Sequence, residues 1–141
     1  MVYGIGCDLC SIARMKKSLL GPHGAVFARR VFGPAEQAAL GLPLAEEEGT
    51  ARRTAHTVAS AAADFAAKEA FLKAAGTGLR EPFSLCEIEA VRLPSGAPNY
   101  RFSGKTAEWV AARRLTAKLS LSHDGGMALA FCTLEQLPPE T

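Results

Sequence analysis

Three ionisable side chains occupy positions whose type and spacing could support chemistry. Asp8 ends the run GIGCD and shares one side of an alternating stretch with Gly4 and Gly6, so a ligand or metal could approach the backbone closely there. The plainer reading of Asp8 is a turn or helix-capping aspartate. Glu69 lies in FAAKEAFLKAAGTG (65–78), where Val58, Ala62, Phe65 and Leu72 follow helical spacing and Glu69 fills a gap in their stripe. A carboxylate on an apolar seam loses hydration worth several kcal/mol unless a cation or hydrogen bonds replace it. Lys73 follows four residues later, the favourable order for an ion pair on one helix face. Such pairs are usually surface features of small energy, and it is the seam position of Glu69 that points towards function.

Directly after Lys73, AAGTG sets Gly76, Thr77 and Gly78 at a helix C-terminus, as a turn whose backbone N–H groups could receive phosphate oxygens. Glycine C-caps are common, so the turn alone is a weak signal. His123 ends the apolar run AKLSLSH, where a lone histidine is more often structural. Cys7 and Cys10 form a single CxxC, and Cys86 and Cys132 stand alone in apolar, strand-like runs. Without a second pair, small buried hydrophobes are expected rather than zinc or redox sites.

The elements that must position these residues follow from pattern. Alternation predicts a strand over residues 2–9, with Asp8 on the glycine side. Ser11 caps a predicted helix to about Leu20, with Ile12, Met15 and Leu19 as its stripe and Arg14, Lys16 and Lys17 pointing elsewhere. Gly21 and Pro22 stop it, and helices follow over 25–31 and from Pro34 to about Gly41. LPLAEEEGTARR (42–53) reads as a solvated loop, and a long helix runs from about Thr54 to Ala75. Strands are expected over 86–93 and 99–102 around PSGAP, a helix over 105–114, and strands over 117–123 and 127–134 joined through DGG. This order predicts a single α+β domain spanning 1–141, with a mainly antiparallel sheet and a long central helix.

At 141 residues, with 48% hydrophobic and 21% charged residues, the chain has the composition of a globular domain. A net charge of +2 gives no global case for nucleic acid. The start has no signal-peptide pattern and no run is long enough to span a bilayer, so a cytoplasmic protein without membrane contact is expected.

In this order and spacing, GIGCDLCSIAR (4–14), FAAKEAFLKAAGTG (65–78), SGAP (95–98) and SLSHD (120–124) resemble the holo-acyl-carrier-protein synthases, small 4′-phosphopantetheinyl transferases. The resemblance spans nearly the whole chain and is specific jointly rather than block by block. It implies transfer of phosphopantetheine from coenzyme A (CoA) to a serine of an apo acyl carrier protein, with release of adenosine 3′,5′-bisphosphate. It also implies that Asp8 and Glu69 bind Mg²⁺, that Glu69 and Lys73 are catalytic, and that Lys73, Gly76, Thr77, Gly78, Pro98 and His123 contact CoA. An acidic carrier would dock on Arg14, Lys17, Arg29 and Arg30, and a homotrimer would place active sites between subunits. The small size favours a role in fatty-acid synthesis.

Two departures from the family pattern remove positive charge. Asp64 stands where an arginine is frequent, and Ala97 where GKP carries lysine. The 42–53 loop is also longer than the family leads one to expect. A Mg²⁺-dependent hydrolase of CoA or a nucleotide, and a non-catalytic module that binds CoA or a carrier, are the alternative functions.

Overall fold

The computed structural model describes residues 1–44 and 51–139. Five strands and five α-helices run in the order β1 (Val2–Ser11), α1 (Ile12–Leu20), α2 (Gly24–Val31), α3 (Pro34–Leu40), α4 (Ala51–Ala75), β2 (Ile88–Arg92), β3 (Pro98–Phe102), α5 (Gly104–Ala112), β4 (Leu115–Asp124) and β5 (Met127–Gln136). All pairing is antiparallel, but the strands form two sheets: a three-stranded one in the order β1-β5-β4 and the β2-β3 hairpin. The α+β expectation holds.

Helix α4 begins earlier than its pattern suggests, so Arg52 and Arg53 are helical rather than part of a loop. The acidic triplet of the expected loop, residues 46–48, lies outside the described residues. Cys86 falls in a short 3₁₀ turn (Leu85–Glu87) instead of a strand. Cys132 is buried as expected, but Cys7 is exposed.

β1 departs from the usual rule that the apolar side of a strand faces the core. Gly4 and Gly6 face α4, and a Cβ at Gly6 would lie 1.8 Å from the Ala70 carbonyl oxygen, one at Gly4 1.9 Å from that of Ala74. Only glycine lets the two backbones meet this closely. The other side of β1 carries Tyr3, Ile5, Cys7 and Leu9, all exposed.

α4 is buried around most of its circumference, with Ala61, Ala62, Ala66, Ala67 and Ala70 inaccessible to solvent. Beyond them Phe71 packs among Phe83, Tyr100, Phe102 and Trp109, with ring centroids 4.8 Å apart for Phe71 and Phe102. Tyr100 ties β3 to the helix by donating its hydroxyl to the Ala67 carbonyl at 2.6 Å.

The most deeply buried charge on α4 is Lys68, next to Glu69. Its ammonium has no solvent exposure and pairs with Glu36 of α3, which is equally buried. It also donates to the carbonyls of Leu85 (3.0 Å) and Ile88 (2.6 Å). The Glu36 carboxylate accepts the backbone N–H groups of Gly33 and Ala90, each at 3.1 Å. Every polar atom of this ion pair therefore has a partner, the condition under which a buried pair is tolerated. Burial still works against both charges, raising the Glu36 carboxyl and lowering the Lys68 ammonium.

Candidate active site

Asp8 and Lys73 meet where β1 crosses the C-terminal third of α4. The Lys73 ammonium donates to Asp8 Oδ1 and to the Cys7 carbonyl, both at 2.9 Å. The hydrogen bond and charge of Asp8 hold the exposed Lys73 ammonium above its ordinary pKa. The glycine contacts set this geometry, because Asp8 lies two residues beyond Gly6 and so projects towards the same side of the sheet.

Glu69 sits one helical turn before Lys73. The seam expectation needs correction here, since the side chain is half-buried on the flank of α4 while Val58, Ala62 and Leu72 are fully buried. Among the described residues the Glu69 carboxylate accepts no hydrogen bond. Its pKa is raised by burial first and by the Asp8 charge second, with Lys73 opposing. Two close carboxylates, one without a hydrogen-bond donor, offer hard oxygen ligands to a cation that keeps further positions for water or phosphate, and this donor set suits Mg²⁺. Among the described residues no group of three or more His, Cys, Asp or Glu side chains could hold a metal. Cys7 and Cys10 do not form such a site, because neighbours three apart on a strand face opposite sides.

The turn after Lys73 has positive φ at Gly76 (81°) and Gly78 (65°). Part of its donor capacity is committed: the Gly76 N–H closes the helix on the carbonyls of Leu72 and Lys73, and Thr77 donates its hydroxyl to the Gly78 carbonyl. The N–H groups of Thr77 and Gly78 remain the candidates for phosphate.

Arg14, Lys17, Arg29 and Arg30 are exposed on α1 and α2. Arg14 also lines a 180 Å³ cavity with Cys10, Phe27 and Phe65, next to the carboxylates. Burial, Asp8 and Glu69 all push the Cys10 thiol up while Arg14 pulls it down, so that one thiol senses all three charges.

Pro98 and His123 meet elsewhere. They share a 270 Å³ cleft with His56, Ser60, Arg92 and Ser122, on the N-terminal half of α4. From Ser60 to Glu69 the helix advances about 13 Å and makes two and a half turns, which puts the two residues on opposite faces. Within one chain these two groups of candidate residues are therefore apart.

Sequence reasoning did not single out Arg92. Its guanidinium donates to the buried Asp64 carboxylate at 3.2 Å, so the aspartate that departs from the family pattern has an arginine from β2 beside it. Burial and the Glu36 charge push the Asp64 carboxyl up to about 7, with Arg92 and Lys68 opposing.

The model of the 4′-phosphopantetheinyl transferase superfamily matches residues 4–132. The holo-acyl-carrier-protein synthase of Methylobacterium radiotolerans is 43% identical, over 98% of this chain and 96% of that one. The crystal structure of the Neisseria meningitidis synthase superposes with a TM-score of 0.76 at 29% identity, covering 96% of this chain and all of the other. A synthase from Bacillus anthracis, solved in complex with CoA (3′,5′-ADP), gives 0.72 at 29% identity, covering 97% and 99%. The chain belongs to the 4′-phosphopantetheinyl transferase superfamily, among the holo-acyl-carrier-protein synthases, and is an enzyme of that class.

Proposed function

We propose that this chain transfers 4′-phosphopantetheine from CoA to a serine hydroxyl of an apo acyl carrier protein. The observation that carries the proposal is the convergence of Asp8, Glu69 and Lys73, held together by the contact of Gly4 and Gly6 with α4. The serine oxygen attacks the β-phosphorus, and the bond to the bridging oxygen breaks, leaving adenosine 3′,5′-bisphosphate. Mg²⁺ bound by Asp8 and Glu69 would supply charge stabilisation to the pyrophosphate oxygens. Lys73 binds the leaving phosphate side and can return a proton to it. The serine proton passes to the Glu69 carboxylate or to water.

The exposed cations Arg14, Lys17, Arg29 and Arg30 offer an acidic carrier a docking face next to the carboxylates. A homotrimer is the assembly that fits the two half-sites, since a second copy can bring its His123 cleft to the Asp8 and Glu69 centre of the first. The outer face of the three-stranded sheet supports such assembly: Ile5, Leu9 and Phe131 are 61%, 58% and 42% exposed. Cys7 pairs with Phe131 and Leu9 with Leu129, so these apolar side chains form one patch. Among the described residues no helix is long and apolar enough to cross a membrane, and a cytoplasmic location agrees with the reading.

The test is the intact mass of an apo carrier incubated with CoA, Mg²⁺ and the enzyme. Gain of one phosphopantetheine group, lost with EDTA and with Glu69→Gln, is expected. CoA breakdown without a carrier would point to the hydrolase instead, and CoA binding without turnover to a non-catalytic module.

A further inference from the structure

We propose that Asp64 is a proton switch set between the buried charge network and the His123 cleft. Ionised, it draws the Arg92 guanidinium onto itself; protonated, it leaves Arg92 to the cleft, so that CoA affinity falls as pH rises through neutrality. The inference rests on the transferase reading above, in which the cleft receives CoA.

Five ionisable side chains from three elements form the network. Glu36 of α3, Asp64 of α4 and Glu89 of β2 are all buried carboxylates. Two cations stand against these three, Lys68 of α4 and Arg92 of β2. Fully ionised, the network would hold one net negative charge in the interior, three against two, and taking up a proton relieves that state.

The hydrogen bonds show which carboxylate is placed to take it. Glu36 accepts from the buried Lys68 ammonium and from the N–H groups of Gly33 and Ala90, and Glu89 accepts the Glu36 N–H at 3.0 Å. Asp64 accepts, among the described residues, from one Arg92 nitrogen alone, at 3.2 Å. That donor belongs to a side chain 40% exposed, which water and ligands reach. Asp64 is thus the one carboxylate of the three whose partner is free to turn away. Burial and the Glu36 charge raise its carboxyl to about 7, so the proton is exchanged with solvent near neutral pH.

Arg92 faces both ways. Besides pairing with Asp64 it lines the cleft with His56, Ser60, Ser122 and His123. An ionised Asp64 offsets the charge that Arg92 presents there and occupies part of its fork. A neutral Asp64 leaves the whole charge and all five N–H donors to an anion. CoA is a polyanion, so it competes with the Asp64 carboxylate for one guanidinium, and each weakens the hold of the other. CoA binding therefore raises the proton affinity of Asp64 and draws a proton from solvent. The other groups facing Asp64 are Glu36 from α3 and Lys68 along α4, with Glu89 acting through Lys68. His56 of α4 and His123 of β4 exchange protons of their own when an anion enters, so the test compares proteins that keep both.

The test uses the full-length protein at fixed Mg²⁺ and titrates CoA by calorimetry from pH 6 to pH 8, in buffers of different ionisation enthalpy. Asp64→Asn, the neutral isostere, and Arg92→Gln are measured beside the wild type. If CoA raises the proton affinity of Asp64 tenfold, the wild type should lose roughly 5-fold more affinity than Asp64→Asn across this range. Near pH 7.5 it should also take up about half a proton more on binding. Arg92→Gln, which removes the shared guanidinium, should behave as Asp64→Asn does. A wild type whose pH dependence and proton uptake match those of Asp64→Asn overturns the proposal, and so does extra pH dependence that survives in Arg92→Gln. Transfer to an apo carrier is scored separately. A wild type that shows the switch but transfers nothing refutes the transferase reading alone, one that transfers without the switch refutes the switch alone, and one that binds no CoA refutes both.

Discussion

Replacing Gly6 by alanine tests whether the approach of β1 to α4 is what assembles the site. A Cβ there would lie 1.8 Å from the Ala70 carbonyl oxygen and 2.7 Å from the Ala74 nitrogen. Both are backbone atoms of a buried helix, so neither can rotate aside, and ordinary contact requires the strand to retreat by about 1 Å or more. Overpacking of this kind costs about 1–3 kcal/mol, which for a domain of this size lowers Tm by roughly 3–10 °C. The functional effect should exceed the loss of stability. Asp8 moves with β1 while Glu69 and Lys73 stay on α4, and a displacement of about 1 Å can cost on the order of 100-fold in rate. Turnover measured well below the variant's Tm, with circular dichroism to confirm folding, separates the two effects. A Gly6→Ala protein with wild-type Tm and turnover would refute the account of how the carboxylates are placed.

Lys68→Met should destabilise by about 3–5 kcal/mol by leaving the Glu36 carboxylate buried without its cation; adding Glu36→Gln, which removes the buried charge and keeps an acceptor for one of the two N–H groups, Gly33 and Ala90, that donate to separate Glu36 oxygens, should restore part of the loss in chemical denaturation. Asp64, raised from 3.8 to about 7, binds its proton more tightly folded than unfolded, so the stability it contributes is present at acid pH and is lost as pH rises through 7. Asp64→Asn should therefore gain up to about 4 kcal/mol on the wild type between pH 4 and pH 8, and parallel Tm profiles would disprove the shift. Leu9→Glu, on the exposed sheet face, should leave a folded chain of lower mass in light scattering with reduced turnover, and an unchanged assembly would remove that face as the interface.

The pattern of the chain was legible wherever one side chain decides a local conformation. Ser11 accepts the Arg14 N–H as an N-cap, Pro34 opens α3, and Gly41 closes it with a left-handed φ of 68°. Strand existence was equally clear from alternation, but the split into two sheets was not, because the pairing of β1 with β5 joins the two ends of the chain. Asp8 and Lys73 could be singled out and do meet. Lys68 could not, because α4 is rich in alanine and buried around most of its girth, so its apolar stripe has no sharp edge and a buried lysine looks like a surface one. Arg92 was missed for a related reason: its partner lies 28 residues away, and only the fold brings the two together.

α4 separates its tasks by angle. His56, Ser60 and Ala63 line the cleft, Asp64 and Lys68 stand about a quarter turn further round in the charged network, and Glu69 and Lys73 fall on a third sector facing β1. β1 divides its tasks by side, with glycines and Asp8 inward and apolar residues outward. The inversion has a physical consequence: the strand can approach the helix closely enough to place Asp8 only by giving up side chains on its inner face. Its apolar residues are then left on the outer one, where water is a poor neighbour. If other copies cover that face, as proposed above, they bury the patch, and the glycines of GIG then serve assembly as well as the placement of Asp8.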